Sequence, residues 1–342
     1  IAQAAVRRRL IKASGDISEL GYDESTTTQE LLEKAEAELF SVSDQSTKQD
    51  LVSLESILTD SFDRIEELSK NKGSLRGVRT GYRDLDNMTA GLQKSDLIIL
   101  AARPAMGKTT LVTNLAYNVA TIEKNPVLFF SLEMSKEQLV DRMLADASGV
   151  DSWNIRTGNL SDEDFAKLSE AMGEMAEAPI YIDDTPGIRI TEIRSRSRKL
   201  AQETGNLGLI LIDYLQLITG TGRENRQQEV SEISRQLKIL AKELKVPVIA
   251  LSQLSRGVEQ RQDKRPVLSD IRESGSIEQD ADIVAFLYRD DYYERGGEEE
   301  EGIPNNKVEV IIEKNRSGAR GTVELIFQKE YNKFSSISKR EA

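Results

Sequence analysis

The sequence predicts an α/β domain with a central, mostly parallel β-sheet, preceded by a short helical region. Five continuous apolar runs are typical of strands that are buried on both faces of such a sheet. Amphipathic segments with helical spacing separate the runs, and this alternation favours parallel strands joined by helices. The five runs are residues 96–102, 126–133, 179–184, 207–213 and 246–253.

A β-hairpin is predicted near the end of the chain. The run "ADIVAFLYR" (281–289) indicates one more strand, and two further runs, "NKVEVIIEKN" and "RGTVELIFQK", are joined by the turn "RSGA". Apolar alternation on both sides of a short turn predicts antiparallel strands at the edge of the sheet. The acidic stretch "RGGEEEEGIPNN" (295–306) is interpreted as a solvated, mobile loop.

Helices are predicted before the sheet. Thr27 and Glu30 have the spacing of a capping box, and apolar residues then recur at helical intervals. The polar stretch "SVSDQSTKQD" (41–50) indicates a flexible linker, and another amphipathic helix follows it. Short helices around a polar linker are not expected to form a core by themselves.

Composition restricts the chemistry. The chain has 342 residues, a formal net charge of −12, no cysteine and no histidine. These absences exclude disulfides, thiolate metal sites and imidazole bases, so catalysis would need carboxylates, amides, hydroxyls, Lys or Arg. The negative charge argues against a surface that binds nucleic acid throughout, but it permits a locally basic groove or pore. No apolar run approaches the roughly 20 residues that a membrane span needs, and we expect a cytoplasmic protein.

The stretch "AARPAMGKTT" (101–110) resembles a phosphate-binding loop that has Ala102 where the first glycine is usual. It follows a predicted strand and opens a predicted helix, as such a loop requires. Ala102 can replace glycine if its φ is negative. The alternative is an ordinary helix behind a tight proline turn. The residues expected to bind the phosphates are Ala105, Met106, Gly107, Lys108, Thr109 and Thr110.

Three polar residues stand at the ends of other predicted strands. Asp213 is placed to hold Mg²⁺ together with Thr109. Glu133 is placed to act as a general base, and Gln253 is placed to sense the γ-phosphate. Each has a simpler interpretation. Asp213 could cap a turn, Glu133 could be a surface carboxylate, and Gln253 could satisfy loop backbone.

The turn of the hairpin is basic, with Lys314, Arg316 and Arg320 in "EKNRSGARG". Such a turn is usually only solvated. A hairpin tip can also project from its own sheet, which is what an arginine finger supplied to a neighbouring active site requires.

Six segments occur in an order that closely resembles the bacterial replicative DNA helicases of the DnaB type. The resemblance covers about residue 75 to the C-terminus and implies a RecA-like P-loop ATPase fold. The segments are "RTGYRDLDNMTAGLQKSDLIILAARPAMGKT", "FFSLEMS", "LILIDYLQLI", "IALSQLSR", "DIRESGSIEQDADI" and "EKNRSGARG". The same family tolerates alanine at the position of Ala102.

The resemblance implies an ATP- and Mg²⁺-dependent homohexamer that moves 5′→3′ on single-stranded DNA and unwinds forked duplex. Lys314 and Arg316 would act in trans on the next subunit, and Arg272, Glu273 and Gly275 would lie on a pore loop that grips DNA phosphates. From spacing alone this loop could equally be an ordinary polar turn.

The resemblance also implies the domain organisation and the partners. Residues 1–24 would be the helical remnant of an N-terminal domain, 25–49 the linker helix and flexible linker, and 50–342 the ATPase domain. Primase and a helicase loader are the expected protein partners. The alternatives are a RecA-like recombinase or ring ATPase that does not unwind DNA, and a small-molecule phosphotransferase. Neither would unwind a fork processively.

Overall fold

The described residues of the computed structural model are 2–22, 31, 34, 35, 38, 53–70, 75–220, 226–271, 274–294 and 306–337. The chain divides into two compact units, Ile1–Lys72 and Gly73–Ala342. The predicted capping box of Thr27 and Glu30 and the linker at 41–50 lie outside the described residues. The same holds for nearly all of the predicted acidic loop.

The first unit contains two described helices, α1 (Ala2–Gly21) and α2 (Leu54–Lys70). The apolar residues of α2 recur at helical spacing and their side chains are exposed. They are Leu54, Ile57, Leu58, Phe62 and Ile65.

The second unit is built on a β-sheet that has nine strands among the described residues, in the order β3-β2-β4-β5-β1-β6-β7-β8-β9. All neighbours from β3 to β6 pair in parallel, and those from β6 to β9 pair antiparallel. The strands are β1 (Leu97–Ala102), β2 (Val127–Ser131), β3 (Ile180–Asp183), β4 (Leu209–Asp213), β5 (Val248–Gln253), β6 (Ile283–Tyr288), β7 (Lys307–Asn315), β8 (Gly321–Gln328) and β9 (Lys333–Ser336). The predicted α/β fold with a mostly parallel sheet is confirmed.

Helices connect the parallel strands, as the alternating pattern predicted. The helices between parallel strands are α4 (Lys108–Ile122), α5 (Lys136–Ser148), α6 (Ser152–Thr157), α7 (Asp162–Ala176), α8 (Ile190–Thr204), α9 (Arg226–Leu244) and α10 (Ser274–Asp280). Helix α3 (Arg83–Thr89) precedes β1, and α11 (Asp291–Glu294) lies between β6 and β7. Short 3₁₀ segments lie at Leu215–Leu217, Arg256–Gln260 and Leu268–Asp270. None of the helices described is long and apolar enough to cross a membrane.

The sheet separates two hydrophobic cores, and this explains the continuous apolar runs. In β1, Ile98 and Leu100 contribute to the core that contains Leu111 of α4. Leu97 and Ile99 contribute to the opposite core, which is covered by α8 and α9. Successive side chains of a strand point to opposite faces, so every position of a strand between two helical layers is apolar.

One expectation about the sheet was wrong. The run at 179–184 was predicted to be buried on both faces, but β3 is the edge strand and its four residues are only partly buried or exposed. Tyr181 is 42% exposed. An edge strand has a neighbour on one side only, and its apolar composition does not reveal this position.

Replacing Phe129 by Ala should lower the free energy of unfolding by about 3–5 kcal/mol, because the ring is fully buried in β2. The same substitution at Phe165, whose side chain on α7 is largely exposed, is the matched control and should cost less than about 1 kcal/mol. Urea unfolding followed by circular dichroism measures both. Equal losses at the two positions would contradict the described packing.

Candidate nucleotide-binding and catalytic site

The carboxyl ends of four adjacent parallel strands supply the candidate site. Ala102 pairs with Gln253, and Ser131 pairs with Asp213, so the ends of β1, β5, β2 and β4 lie at one edge of the sheet. Ligands of open parallel α/β sheets bind outside this edge.

The loop between β1 and α4 has the backbone of a phosphate cradle. Gly107 precedes α4 with φ +93°, and an added Cβ would lie 3.1 Å from Cζ of Phe334 and 3.4 Å from Cε1 of Phe327. The left-handed conformation favours glycine, and a side chain there would also press on the ring of Phe334. Ala102 lies in β1 with no left-handed backbone, as predicted, so alanine introduces no strain there.

The backbone amides at the start of α4 are the donors that this cradle offers. The first turn of a helix has N–H groups without helical partners, and the helix dipole favours an anion at this end. One predicted phosphate-binding residue contributes no side chain, because Met106 is buried in the core.

Asp213 connects the end of β4 to this loop. The Oγ1 atom of Thr109 donates a hydrogen bond of 2.6 Å to Oδ2 of Asp213, and Nζ of Lys108 lies 3.8 Å from Oδ1. The carboxylate is fully buried, and Oδ1 accepts no hydrogen bond from any residue that the structure describes. A buried carboxylate oxygen without a donor indicates a place for a cation or for an ordered water bound to one.

These groups fit a magnesium ion. Mg²⁺ is usually held by one or two carboxylates together with substrate phosphates and water. Among the described residues, no cluster of three or more acidic side chains could hold a metal by itself. Oxygens from a nucleotide would therefore complete the coordination that Thr109 and Asp213 begin.

Lys108 lies in a partly desolvated position. Burial lowers the pKa of its ammonium group, and the nearby carboxylates of Asp213 and Glu133 act in the opposite direction. The Nζ atom also lies 4.7 Å from the centre of the Tyr214 ring. An ammonium group that has lost part of its hydration gains more from a phosphate than a solvated one does.

Glu133 lies two residues beyond the end of β2, whereas the predicted strand included it. The chain turns there. Ser131 Oγ donates to the Met134 carbonyl at 2.6 Å, and Ser135 and Gln138 form the predicted capping box of α5. Glu133 is thus an exposed carboxylate between a strand end and a helix start, both of which are fixed.

Seven of the predicted site residues line one cleft of about 250 Å³. Gln253, the last residue of β5, lines it together with residues of the loop and Glu133. The lining residues are Ala102, Arg103, Pro104, Ala105, Gly107, Lys108, Thr109, Thr110, Glu133, Arg142, Tyr214, Gln253 and Phe327.

Sequence reasoning missed Arg142. This residue of α5 lines the cleft, and its Nη1 atom donates to Oγ1 of Thr110 at 3.3 Å. Burial lowers the pKa of the guanidinium, while Asp213 and Glu133 favour its charge. The helical spacing could have predicted this position. Arg142 follows the buried Leu139 by three residues and so lies on the same, inner face of α5.

Lys314 and Arg316 do not line this cleft. Arg316 contacts Asp282, whose backbone N–H donates to the carbonyl of Leu97, the first residue of β1. The cradle follows Ala102, the last residue of the same strand. Five residue steps at about 3.3 Å each separate the two ends by roughly 17 Å.

The predicted DNA-binding residues are only partly described. Arg272 and Glu273 lie outside the described residues. Gly275 was expected on a loop, but it lies in the first turn of α10. The helix has only seven residues and contains a glycine, so the sequence pattern did not predict it.

The chain is similar to known proteins in its sequence and in its fold. The family model of the DnaB-like helicase C terminal domain matches residues 77–336. The chain belongs to the DnaB-like helicases. It is 54% identical to the replicative DNA helicase DnaC of Bacillus subtilis (strain 168) and to the replicative DNA helicase DnaB of Geobacillus stearothermophilus. Each alignment covers 99% of this chain and 74% of the relative.

Two solved structures share the fold. One is an isolated ATPase domain, which matches with a TM-score of 0.79 and 42% identity, over 84% of this chain and 100% of that one. The other is a DnaB-like replicative helicase, described with its interactions with primase. It matches with a TM-score of 0.84 and 38% identity, over 98% of this chain and 77% of that one. The predicted family, the RecA-like fold and the enzyme class, an ATP-hydrolysing DNA helicase, are confirmed.

Replacing Glu133 by Gln in this DnaB-like chain should reduce ATP hydrolysis by about 10²–10⁴-fold, because the amide cannot take a proton from water. Nucleotide binding should persist, since the cradle is unchanged. Steady-state hydrolysis and the binding of a fluorescent nucleotide measure the two effects. Glu137→Gln, at a solvent-exposed carboxylate in the first turn of α5, is the matched control and should leave both unchanged.

Asp96, just before β1, provides a pH prediction. Burial and the neighbouring Asp282 raise its pKa from 3.8 to about 6, against the opposing charges of Lys238, Arg76 and Arg316. A carboxyl group whose pKa is raised by folding contributes stability at a pH below its pKa in the unfolded chain. This stability is lost as the pH rises through its pKa in the folded protein, about 6.

Asp96→Asn should therefore increase the free energy of unfolding at pH 7.5, by about 1 kcal/mol once solvent screening of this half-buried group is allowed for. The gain should shrink as the pH falls towards 4. Urea unfolding at several pH values measures it. A gain that is independent of pH would show that the titration of Asp96 is not its source.

Proposed function

We propose that the chain acts as a ring hexamer that binds ATP between subunits, moves 5′→3′ on single-stranded DNA and separates the duplex at the replication fork. The observation that carries this proposal is the distance of Arg316 from the cleft of its own chain. The cleft contains a phosphate cradle and a candidate base, but the basic turn lies near the opposite end of β1. A finger at that position suits the site of a neighbouring copy.

In the proposed reaction, the oxygen of a water molecule attacks the γ-phosphorus of ATP. The bond from this phosphorus to the oxygen that bridges it to the β-phosphate breaks, and ADP leaves. Glu133 accepts the proton that the water loses. Lys108 and the amides around Gly107 hold the β- and γ-phosphates. Magnesium, held through Thr109 and Asp213, would supply positive charge to the phosphate oxygens.

Gln253 and the basic turn complete the proposed site. The amide of Gln253, at the end of β5, faces the cleft where it can detect the presence or loss of the γ-phosphate. Lys314 and Arg316 of the adjacent subunit would neutralise charge that develops on the transferred group. An arginine finger supplied in this way is worth about 10³–10⁵ in rate.

Arg272, Glu273 and Gly275 are proposed to contact DNA in the centre of the ring. Contacts to phosphates carry no sequence information, so we expect weak base preference. Inward-facing basic residues would also allow DNA binding by a chain with a net charge of −12.

Two further proposals concern partners and organisation. One solved relative is described with its interactions with primase, which supports primase as a partner of this chain, and a helicase loader is proposed beside it. Residues 1–24 are proposed as the remnant of an N-terminal domain, 25–49 as the linker and 50–342 as the ATPase domain, whose first helix, α2, belongs to the first compact unit. The proposed place of action is the replication fork in the cytoplasm.

Mixed assemblies test the interfacial site. Subunits with Glu133→Gln and subunits with Arg316→Ala, each inactive alone, should recover ATP hydrolysis and fork unwinding when they are co-expressed. In a random mixture about one interface in four pairs an intact Glu133 with an intact Arg316 from its neighbour. Hydrolysis is measured with and without single-stranded DNA.

The control is a mixture of Glu133→Gln with Glu133→Gln,Arg316→Ala subunits, in which no interface contains an intact base. Rescue in the control, or none in the test mixture, would contradict a site shared between subunits. Stimulated hydrolysis without fork unwinding would indicate a ring ATPase that does not unwind DNA.

A further inference from the structure

The basic turn after β7 is held by its own chain through several hydrogen bonds. The backbone N–H of Arg316 donates to the Asp282 carbonyl at 3.0 Å. Its side chain donates from Nη1 to Oδ1 of Asp282 at 3.2 Å and from Nη2 to the carbonyl of Gln279 at 2.6 Å. Within the turn, Ser317 N–H donates to Oδ1 of Asn315 at 3.1 Å, which fixes the path of the backbone. The guanidinium thus has a defined direction although half of the side chain is exposed.

Asp282 is itself anchored by its other oxygen. Oδ2 accepts from the backbone N–H of Leu97 at 2.8 Å and from Nζ of Lys238 on α9. Only 9% of the Asp282 side chain is exposed. One carboxylate oxygen is therefore tied to the first residue of β1 and to a helix, and the other oxygen is directed at Arg316.

The last turn of α10 also binds both cations of the basic turn, Lys314 and Arg316. The carbonyls of Glu278 and Gln279 lie near the C-terminus of this helix, where carbonyl groups lack helical partners and the dipole favours cations. Nζ of Lys314 donates to the first carbonyl and Arg316 to the second. Two cations of the turn thus cap one helix end.

These contacts orient the guanidinium without using all its donors. An arginine side chain has five N–H donors, and the two contacts to Asp282 and Gln279 use two of them. Within the part of the chain that the structure describes, three donors remain for a phosphate. A preorganised cation stabilises developing charge better than one that must first be ordered.

We propose that Asp282 is a positioning residue for ATP hydrolysis in the adjacent subunit, where it fixes the direction from which Arg316 approaches the γ-phosphate. This inference rests on the proposed role of Arg316 as a finger in trans. Asp282 does not line the cleft, and in this proposal it acts only through Arg316. Its effect should therefore fall on turnover and not on nucleotide binding, which depends on the cradle of the other subunit.

Asp282→Asn is a selective test, because the two carboxylate oxygens have different partners. Oδ2 binds Leu97 and Lys238, and Oδ1 binds Arg316. Leu97 N–H and Lys238 both need an acceptor, so the remaining oxygen of Asn faces them and the NH₂ group faces Arg316. The anchor persists and the orienting contact is lost. We expect kcat of the full-length assembly on single-stranded DNA to fall about tenfold, as for the loss of one charge-assisted hydrogen bond, with KM unchanged.

Two further measurements separate positioning from a general structural role. Asp282→Asn combined with Arg316→Ala should be no slower than Arg316→Ala alone, because both changes act through one group. Co-assembly of Asp282→Asn with Glu133→Gln subunits should restore turnover, since the defect lies on the side that donates the finger. The matched control is Glu243→Gln on α9, which removes carboxylate contacts to Arg198 and Arg194 of α8 and should leave kcat unchanged.

The inference is overturned if Asp282→Asn has wild-type or higher kcat, if its loss adds fully to that of Arg316→Ala, or if mixed assemblies are not rescued. If Arg316→Ala alone keeps wild-type kcat, the proposed finger has failed and the inference with it. Thermal unfolding is followed for every variant. If the midpoint of Asp282→Asn drops by more than about 10 °C, Asp282→Glu replaces it, with the same expected change in kcat at constant KM.

Discussion

The hydrogen bond from Thr109 to Asp213 is the contact on which the site depends. It joins the first turn of α4 to the end of β4, two elements that are 104 residues apart in sequence. Because Lys108 precedes Thr109, the same contact brings its backbone close to Asp213, and its Nζ lies 3.8 Å from Oδ1. The left-handed Gly107, packed against Phe334, brings the chain into this position. A side chain at position 107 would strain this turn, and loss of the Thr109 hydroxyl would remove the contact with Asp213.

Much of the fold follows from the alternation of apolar runs with amphipathic helices. Five apolar runs became five parallel strands because a sheet between two helical layers demands apolar residues at every position. The same argument failed for the burial of β3, since the order of strands depends on long-range pairing that no local pattern encodes. It also missed β9, a short strand that pairs with β8 by Phe327 and Phe334 among others. Four residues at the end of a chain are too few to show a period.

The candidate site was predictable where chemistry and local structure coincide. Asp213 and Gln253 end buried strands, and Gly107 begins a helix, so their spacing alone suggested their places. Arg142 was missed because it belongs to the middle of a helix, where an arginine is usually on the surface. Its role in the cleft depends on how α5 packs against α4, which is a tertiary fact. The contact of Arg316 with Asp282 was also missed, because it joins residues that are 34 positions apart and depends on tertiary structure.

Strand β1 has a mechanical consequence in the proposed ring. The cradle lies at one end of this strand and the anchor of Arg316 at the other, and five steps of hydrogen-bonded backbone join them. Such a strand is a stiff lever arm of roughly 17 Å, so a tilt of about 5° about one end displaces the other by about 1.5 Å. That displacement is enough to make or break a hydrogen bond. A subunit that tilts when its own nucleotide changes would thereby move its Arg316 relative to the neighbouring site. Hydrolysis could then proceed from subunit to subunit around the proposed ring without a flexible connecting segment.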